Sequence, residues 1–163
     1  MGKSRGFTLI ELMVTIAVLA IVAMMAAPSF GNMLQRQNLN KSTQDLIATL
    51  NQARSDAVIR RQEISIQLQT NSNSTMNADT DQQLNWRPSG GAILRAGSPT
   101  QIVLGFTGGV LVDDGGTPSQ WVPATNDTTF VICERDGTDT NRRAKTVSIS
   151  RMGTIQQVVE GVC

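Results

Sequence analysis

A single carboxylate, Glu11, stands inside the run FTLIELMVTIAVLAIVAMMAA, four residues after Phe7, and from Leu12 to Gln35 no residue carries a formal charge. An acid in a segment this apolar is costly to hold in a bilayer and marks a function. A second concentration of charge is basic. Arg142, Arg143, Lys145 and Arg151 lie between Thr140 and Arg151 with no acid among them. Arginines on a hairpin loop can grip phosphates through paired N–H donors, which gives salt-dependent, sequence-independent nucleic-acid binding. No aromatic residue lies among them to stack on bases, and Glu134, Asp136 and Asp139 flank them. A solvated loop or a subunit-contact surface is therefore the competing reading.

Other chemistry is thinly represented. The chain contains no histidine, which removes His-based triads, imidazole proton shuttles and His metal sites. No close carboxylate pair and no nucleophile motif stands out, so no enzyme is expected. Asp79, Asp81, Asp113 and Asp114 do not follow the ligand spacing of a calcium loop and are expected as turn residues. Neither a metal nor a cofactor is expected. Cys133 and Cys163 are far from any CxxC spacing. In an exported head they would form one structural disulfide; in a cytosolic protein they would be two unrelated thiols.

The elements that carry these residues follow from periodicity. Phe7–Ala27 is almost wholly apolar, and roughly 20 helical residues cross a hydrocarbon core. Lys3 and Arg5 precede it and favour a cytoplasmic start. A secretory signal peptide would have a shorter apolar run, and neither it nor a plain membrane anchor accounts for Glu11. Pro28 should kink the helix without ending it. Beyond it, Leu39, Thr43, Leu46, Leu50, Ala53 and Ala57 fall on one helical face, with Gln44, Asp45, Gln52 and Asp56 elsewhere. If continuous to about Arg61, the helix would be roughly 80 Å long.

After Gln62 the period becomes two. Ile64–Leu68 alternates cleanly, and further strands are expected at Ala92–Arg95, Gln101–Phe106, Val110–Val112, Thr129–Cys133, Lys145–Ser150 and Thr154–Val159. Clusters rich in Gly, Pro and Asp separate them, while Thr70–Gln83 reads as a mobile polar loop. The fold class is α+β: a long N-terminal helix, transmembrane in its first half and amphipathic in its second, packed on an antiparallel β-sandwich-like head. The expected segments are a leader at 1–6, a helix at 7–62 with its membrane part at 7–30, and a head at 63–163.

Gly6-Phe7-Thr8-Leu9-Ile10-Glu11, with the short basic leader and Pro28, resembles the type III signal sequence of type IV pilins and type II secretion pseudopilins. Gln52–Val58 with Arg61, Val131–Glu134 and Thr146–Ile155 resemble the GspH/FimT/FimU group within that family. The resemblance implies that a prepilin peptidase cuts between Gly6 and Phe7 and methylates the new Phe7 amine. Glu11 would then pair with the Phe7 amine of a neighbouring subunit and set axial register during filament assembly. Removing Lys3 and Arg5 takes two bases from the 14, leaving a balance of −1 against the 13 acids. A Cys133–Cys163 bridge would close a loop of about 30 residues and pin an otherwise fraying C-terminus.

The function implied is that of a minor pilin in a type IVa pilus, acting in initiation or at the tip. Its partners would be other major and minor pilins, the peptidase and the inner-membrane assembly machinery. It would sit as a single-pass inner-membrane protein with a periplasmic head, and in the filament after assembly. Two alternatives stand beside this: a type II secretion pseudopilin of the GspH kind, and a DNA receptor for natural transformation. Some FimT members bind DNA through a Gly-Arg-x-Arg motif; here the run is Asn141-Arg142-Arg143-Ala144-Lys145, which departs from it.

Overall fold

The computed structural model describes residues 7–117, 120–135 and 142–163, and all of their side chains except those of residues 25–29. One helix, α1, spans Leu9–Arg60, and nine strands follow it. The chain divides into two compact units, Met1–Leu34 and Gln35–Cys163.

In the first unit α1 presents apolar side chains all round. Every described side chain from Leu9 to Leu34 is exposed, among them Leu12, Ile16, Leu19, Val22 and Phe30. A helix hydrophobic on all sides is at home in lipid or in a bundle, not in water. Over the described residues alone, which leave out the side chains at 25–29, no helix stretch is long and apolar enough to cross a membrane.

In the second unit the rest of α1 carries one buried stripe. Leu39, Leu46, Leu50, Ala53 and Ala57 are within 3% of full burial. Thr43 lies on the same stripe, and its hydroxyl donates to the Leu39 carbonyl at 2.8 Å, so burial leaves no unmet polar group.

The helix ends by a specific backbone device. Arg61 takes φ 54, and the Gln62 N–H donates to the Ala57 carbonyl at 3.2 Å. This is the six-to-one hydrogen bond of a Schellman cap, with arginine in the left-handed position that glycine usually fills. Arg60 adds an ion pair to Asp81 at 2.7 Å, which raises the Arg60 pKa, chiefly through the hydrogen bond.

The strands are β1 Ile64–Leu68, β2 Gln83–Trp86, β3 Ile93–Leu94, β4 Gln101–Leu104, β5 Val110–Asp113, β6 Trp121–Pro123, β7 Thr128–Cys133, β8 Arg143–Ile149 and β9 Val159–Val162. They form a five-stranded sheet in the order β2-β1-β4-β5-β6 and a four-stranded sheet in the order β3-β7-β8-β9. Both sheets and the α1 stripe contribute to one buried cluster, including Ile66, Leu104, Phe130, Ile132, Val147 and Ile149.

The head is antiparallel-rich as expected, with one exception: β1 and β2 run parallel, with Ile66 opposite Leu84. Two expectations about single segments are corrected. The strand expected at Thr154–Val159 is only a bridge between Ile149 and Ile155, and pairing with β8 resumes at Val159–Val162. The turn at Ser150–Gly153 displaces the returning chain before the ladder can re-form; its Thr154 carbonyl still accepts from the Ser150 N–H. The polar segment after Thr70 runs directly into β2, where Trp86 is buried. Its tail is held there by the Asp79 carboxylate, which accepts from the Asn85 backbone N–H at 2.8 Å and from its side-chain amide at 3.0 Å.

Candidate assembly and anion-binding sites

The N-terminus and the β8–β9 region hold the residues of functional interest, one in each unit. Thr8 and Glu11 form a reciprocal pair at the start of α1. The Glu11 carboxylate accepts from the Thr8 backbone N–H at 3.1 Å and from its hydroxyl at 3.0 Å, while the Glu11 N–H donates to the Thr8 hydroxyl at 3.3 Å. This is a capping box, in which side chains satisfy backbone donors that the first helical turn cannot. The Thr-x-x-Glu spacing was present in the sequence as its signal, and the apolar context drew attention away from it. Glu11 is thus oriented by its own subunit, with its carboxylate beside the backbone that follows Phe7. Gly6, Lys3 and Arg5 lie outside the described residues.

In the head, the predicted basic set does not form one patch. β8 carries the chain about 20 Å from Arg143 to Ile149 at the usual rise of a strand. Arg151 therefore lies beyond the far end of that strand. Its N–H donates to Asp127 at 3.3 Å, and its carbonyl accepts from Val110 at 3.0 Å. Lys145 is partly buried and bridges to Glu160 of β9 at 3.0 Å, the residue directly opposite it in register. Arg142 donates to the Arg135 carbonyl at 2.7 Å. Arg143 and Arg151 are exposed, and neither guanidinium has a side-chain partner among the described residues. Asp136, Asp139 and Asn141 lie outside the described residues.

The structure instead brings Arg143 and Lys145 to an open pocket of about 330 Å³ with Arg36, Leu39 and Asn40 of α1 and Glu160 of β9. Sequence reasoning missed Arg36. It is separated from Arg143 by more than a hundred residues, and only the packing of α1 along the sheet unites them.

Cys133 and Cys163 form a disulfide, with their α-carbons 6.0 Å apart. The Cys163 N–H also donates to the Arg142 carbonyl at 2.8 Å. The bridge runs from the end of β7 past β8 to the residue after β9, so it fastens the edge strand across the sheet. The four suspected calcium-type acids have protein partners or turn roles. Asp113 accepts from the Gly115 N–H, and Asp114 accepts from Gly116 and Gln120. Those two backbone donors, Gln120 first, hold the Asp114 pKa below its ordinary value.

Against known proteins, the prokaryotic N-terminal methylation motif matches residues 1–27. That motif, followed by a long helix and a β-rich head, defines a pilin-like subunit of the minor pilin or pseudopilin kind. A second family model, type II transport protein GspH, matches residues 42–153, and the chain belongs to that family. Over 47 residues the chain is 43% identical to prepilin peptidase-dependent protein D of Escherichia coli (strain K12), a stretch amounting to 29% of this chain and 32% of that protein. The chain thus spans about a third of the length of that curated relative. The crystal structure of the type IV minor pilin FimU of Pseudomonas aeruginosa (strain PAO1) is similar with a TM-score of 0.48 at 22% identity, covering 76% of this chain and 90% of that chain.

Proposed function

We propose that this chain is a minor pilin of a type IVa pilus, acting structurally and not as an enzyme, in initiation or at the tip. A prepilin peptidase cuts it between Gly6 and Phe7 and methylates Phe7. Before assembly it is a single-pass inner-membrane protein with a periplasmic head; afterwards it is part of the filament, bound helix to helix to major and minor pilins.

One observation carries this reading. Glu11 is the only formal charge from Phe7 to Gln35, and it is held at the head of a helix whose described side chains are exposed as far as Leu34. Once enclosed by lipid or by neighbouring helices, such an acid is stabilised by pairing with a cation, and the amine freed at Phe7 by cleavage is one. Glu11→Ala is expected to leave cleavage intact and to lower filament incorporation at least tenfold, measured by immunoblot of sheared filaments. Normal incorporation would end the charge-pairing argument.

The GspH match favours a second reading, a pseudopilin of a type II secretion machine. Deleting the gene separates the two: loss of pili supports the first, and loss of secreted enzymes with pili intact supports the second. The DNA-receptor reading gains nothing from the geometry, because Arg151 is remote from the other three cations and Lys145 is paired.

A further inference from the structure

The pocket formed by Arg36, Arg143 and Lys145 remains unused by filament assembly as described. It lies where the chain enters the head, since that unit begins at Gln35 and Arg36 is its second residue. Arg36 is also the first formal charge after Glu11. Of the pocket's charges, Lys145 and Glu160 satisfy each other at 3.0 Å. Two exposed guanidinium groups are left over, and neither Arg36 nor Arg143 has a side-chain partner among the described residues. Leu39 and Ala144, both buried, supply an apolar floor. Two arginines over an apolar floor suit an anion that offers several oxygens and carries a greasy remainder.

Chain length indicates where such an anion would be met. At 1.5 Å per residue, the first unit's helical stretch advances about 40 Å from Phe7 to Leu34, two residues before Arg36 in the sequence. A bilayer with its headgroups is about 40–45 Å thick. A subunit whose Phe7 lies at one face of the membrane therefore ends this stretch at the headgroup level of the other, where Arg36 is the next charge in the sequence. Basic residues at that level are attracted to an anionic lipid surface.

We propose that the Arg36–Arg143 pocket binds the phosphate of an anionic lipid headgroup on the head's side of the membrane. The proposal rests on the reading that α1 spans the bilayer before assembly. Bound lipid holds the base of the head to the membrane, and entry into the filament requires its release.

The full-length chain in neutral detergent would be titrated with phosphatidylglycerol, phosphatidylcholine, inorganic phosphate and a single-stranded oligonucleotide, with adducts counted by native mass spectrometry. Phosphatidylglycerol is expected to half-saturate at a concentration at least fivefold below phosphatidylcholine. Arg36→Gln/Arg143→Gln should abolish that preference. Glu160→Gln, which removes the acid facing Lys145, should strengthen it, so a result is obtained even if the double variant folds poorly. Equal binding of the two lipids, or an unchanged preference in both variants, overturns the proposal. Displacement of lipid by equimolar phosphate would show a free-anion site instead, and displacement by the oligonucleotide a nucleic-acid site; either also overturns it. Extraction of the chain from membranes by alkaline carbonate tests the spanning reading separately.

Discussion

The two stretches of α1 share one backbone conformation and differ in what surrounds them. From Leu9 to Leu34 the described side chains all face outward and are mostly apolar; from Gln35 to Arg60 the apolar ones gather on a single stripe and sink into the head. Secondary structure alone therefore says little about a helix of this length. The distribution of apolar residues around its axis decides whether it needs lipid, a neighbour or a sheet. Leu19 and Leu46 are the same residue in the same helix, yet the first is 66% exposed and the second 0%. One is available for a partner, while the other is already committed to the head.

That contrast can be broken in several places. The largest expected effect lies in the head. Cys133→Ser should lower its stability by about 3–4 kcal/mol on the chain-entropy account of a loop of about 30 residues. Thermal unfolding and protease resistance would show the change, and an unaltered melting temperature would mean that the bridge contributes nothing. Next comes the direct test of the comparison. Leu46→Ala should cost about 3 kcal/mol in head unfolding, whereas Leu19→Ala should change it by less than about 0.5 kcal/mol. Equal losses would show that the two stretches are not energetically separate.

A smaller effect of opposite sign is expected where the helix hands over to β1. Arg61 occupies the left-handed region at φ 54, which disfavours a residue with a β-carbon. Arg61→Gly should therefore raise stability by about 0.5–1 kcal/mol once glycine's extra unfolded-state entropy is counted. A denaturant midpoint that falls would show that the Arg61 side chain makes a contribution the cap does not explain. The smallest effect concerns the loop between β5 and β6. Because the Asp114 pKa is lowered on folding, its contribution is present above the ordinary value of 3.8 and is lost as pH falls through the lower folded value. NMR titration should place its midpoint below 3.8, and a midpoint at or above that value would contradict the hydrogen bonds from Gly116 and Gln120.

The helix was the most legible part of the chain, for a physical reason. All six stripe positions from Leu39 to Ala57 are buried, because a periodicity sustained over several turns admits one orientation. Ile64–Leu68 was equally clear, its alternation reappearing as alternating burial. β2 and β6 were not visible. Gln83–Trp86 pairs through its backbone and is anchored by Trp86, whose indole N–H donates to the Ser42 carbonyl at 3.2 Å, and no pattern of four residues announces that. Trp121–Pro123 is a short, largely exposed edge strand paired with β5.

The candidate sites divide in the same way. Glu11 was conspicuous because its chemistry clashes with its neighbours in sequence, although its partner Thr8 was overlooked. The basic set was grouped by closeness in sequence, and an extended strand separates what sequence places side by side. Arg36 joined the pocket through tertiary packing, which a one-dimensional pattern does not contain.

The route of the chain between the two sheets has a further consequence. After β2, in the five-stranded sheet, the chain crosses to place β3 in the other, returns for β4, β5 and β6, and crosses again to β7. Neither sheet is assembled from an unbroken piece of sequence, and both bury their inner residues against the same helical stripe. Half a head is consequently not a stable thing to be. Damage in either sheet should register in a single cooperative transition, as expected of a domain of this size. For a subunit that must reach its assembly site intact, quality control is then all or none: a defective head is lost whole, and few partly formed ones survive to enter a growing fibre.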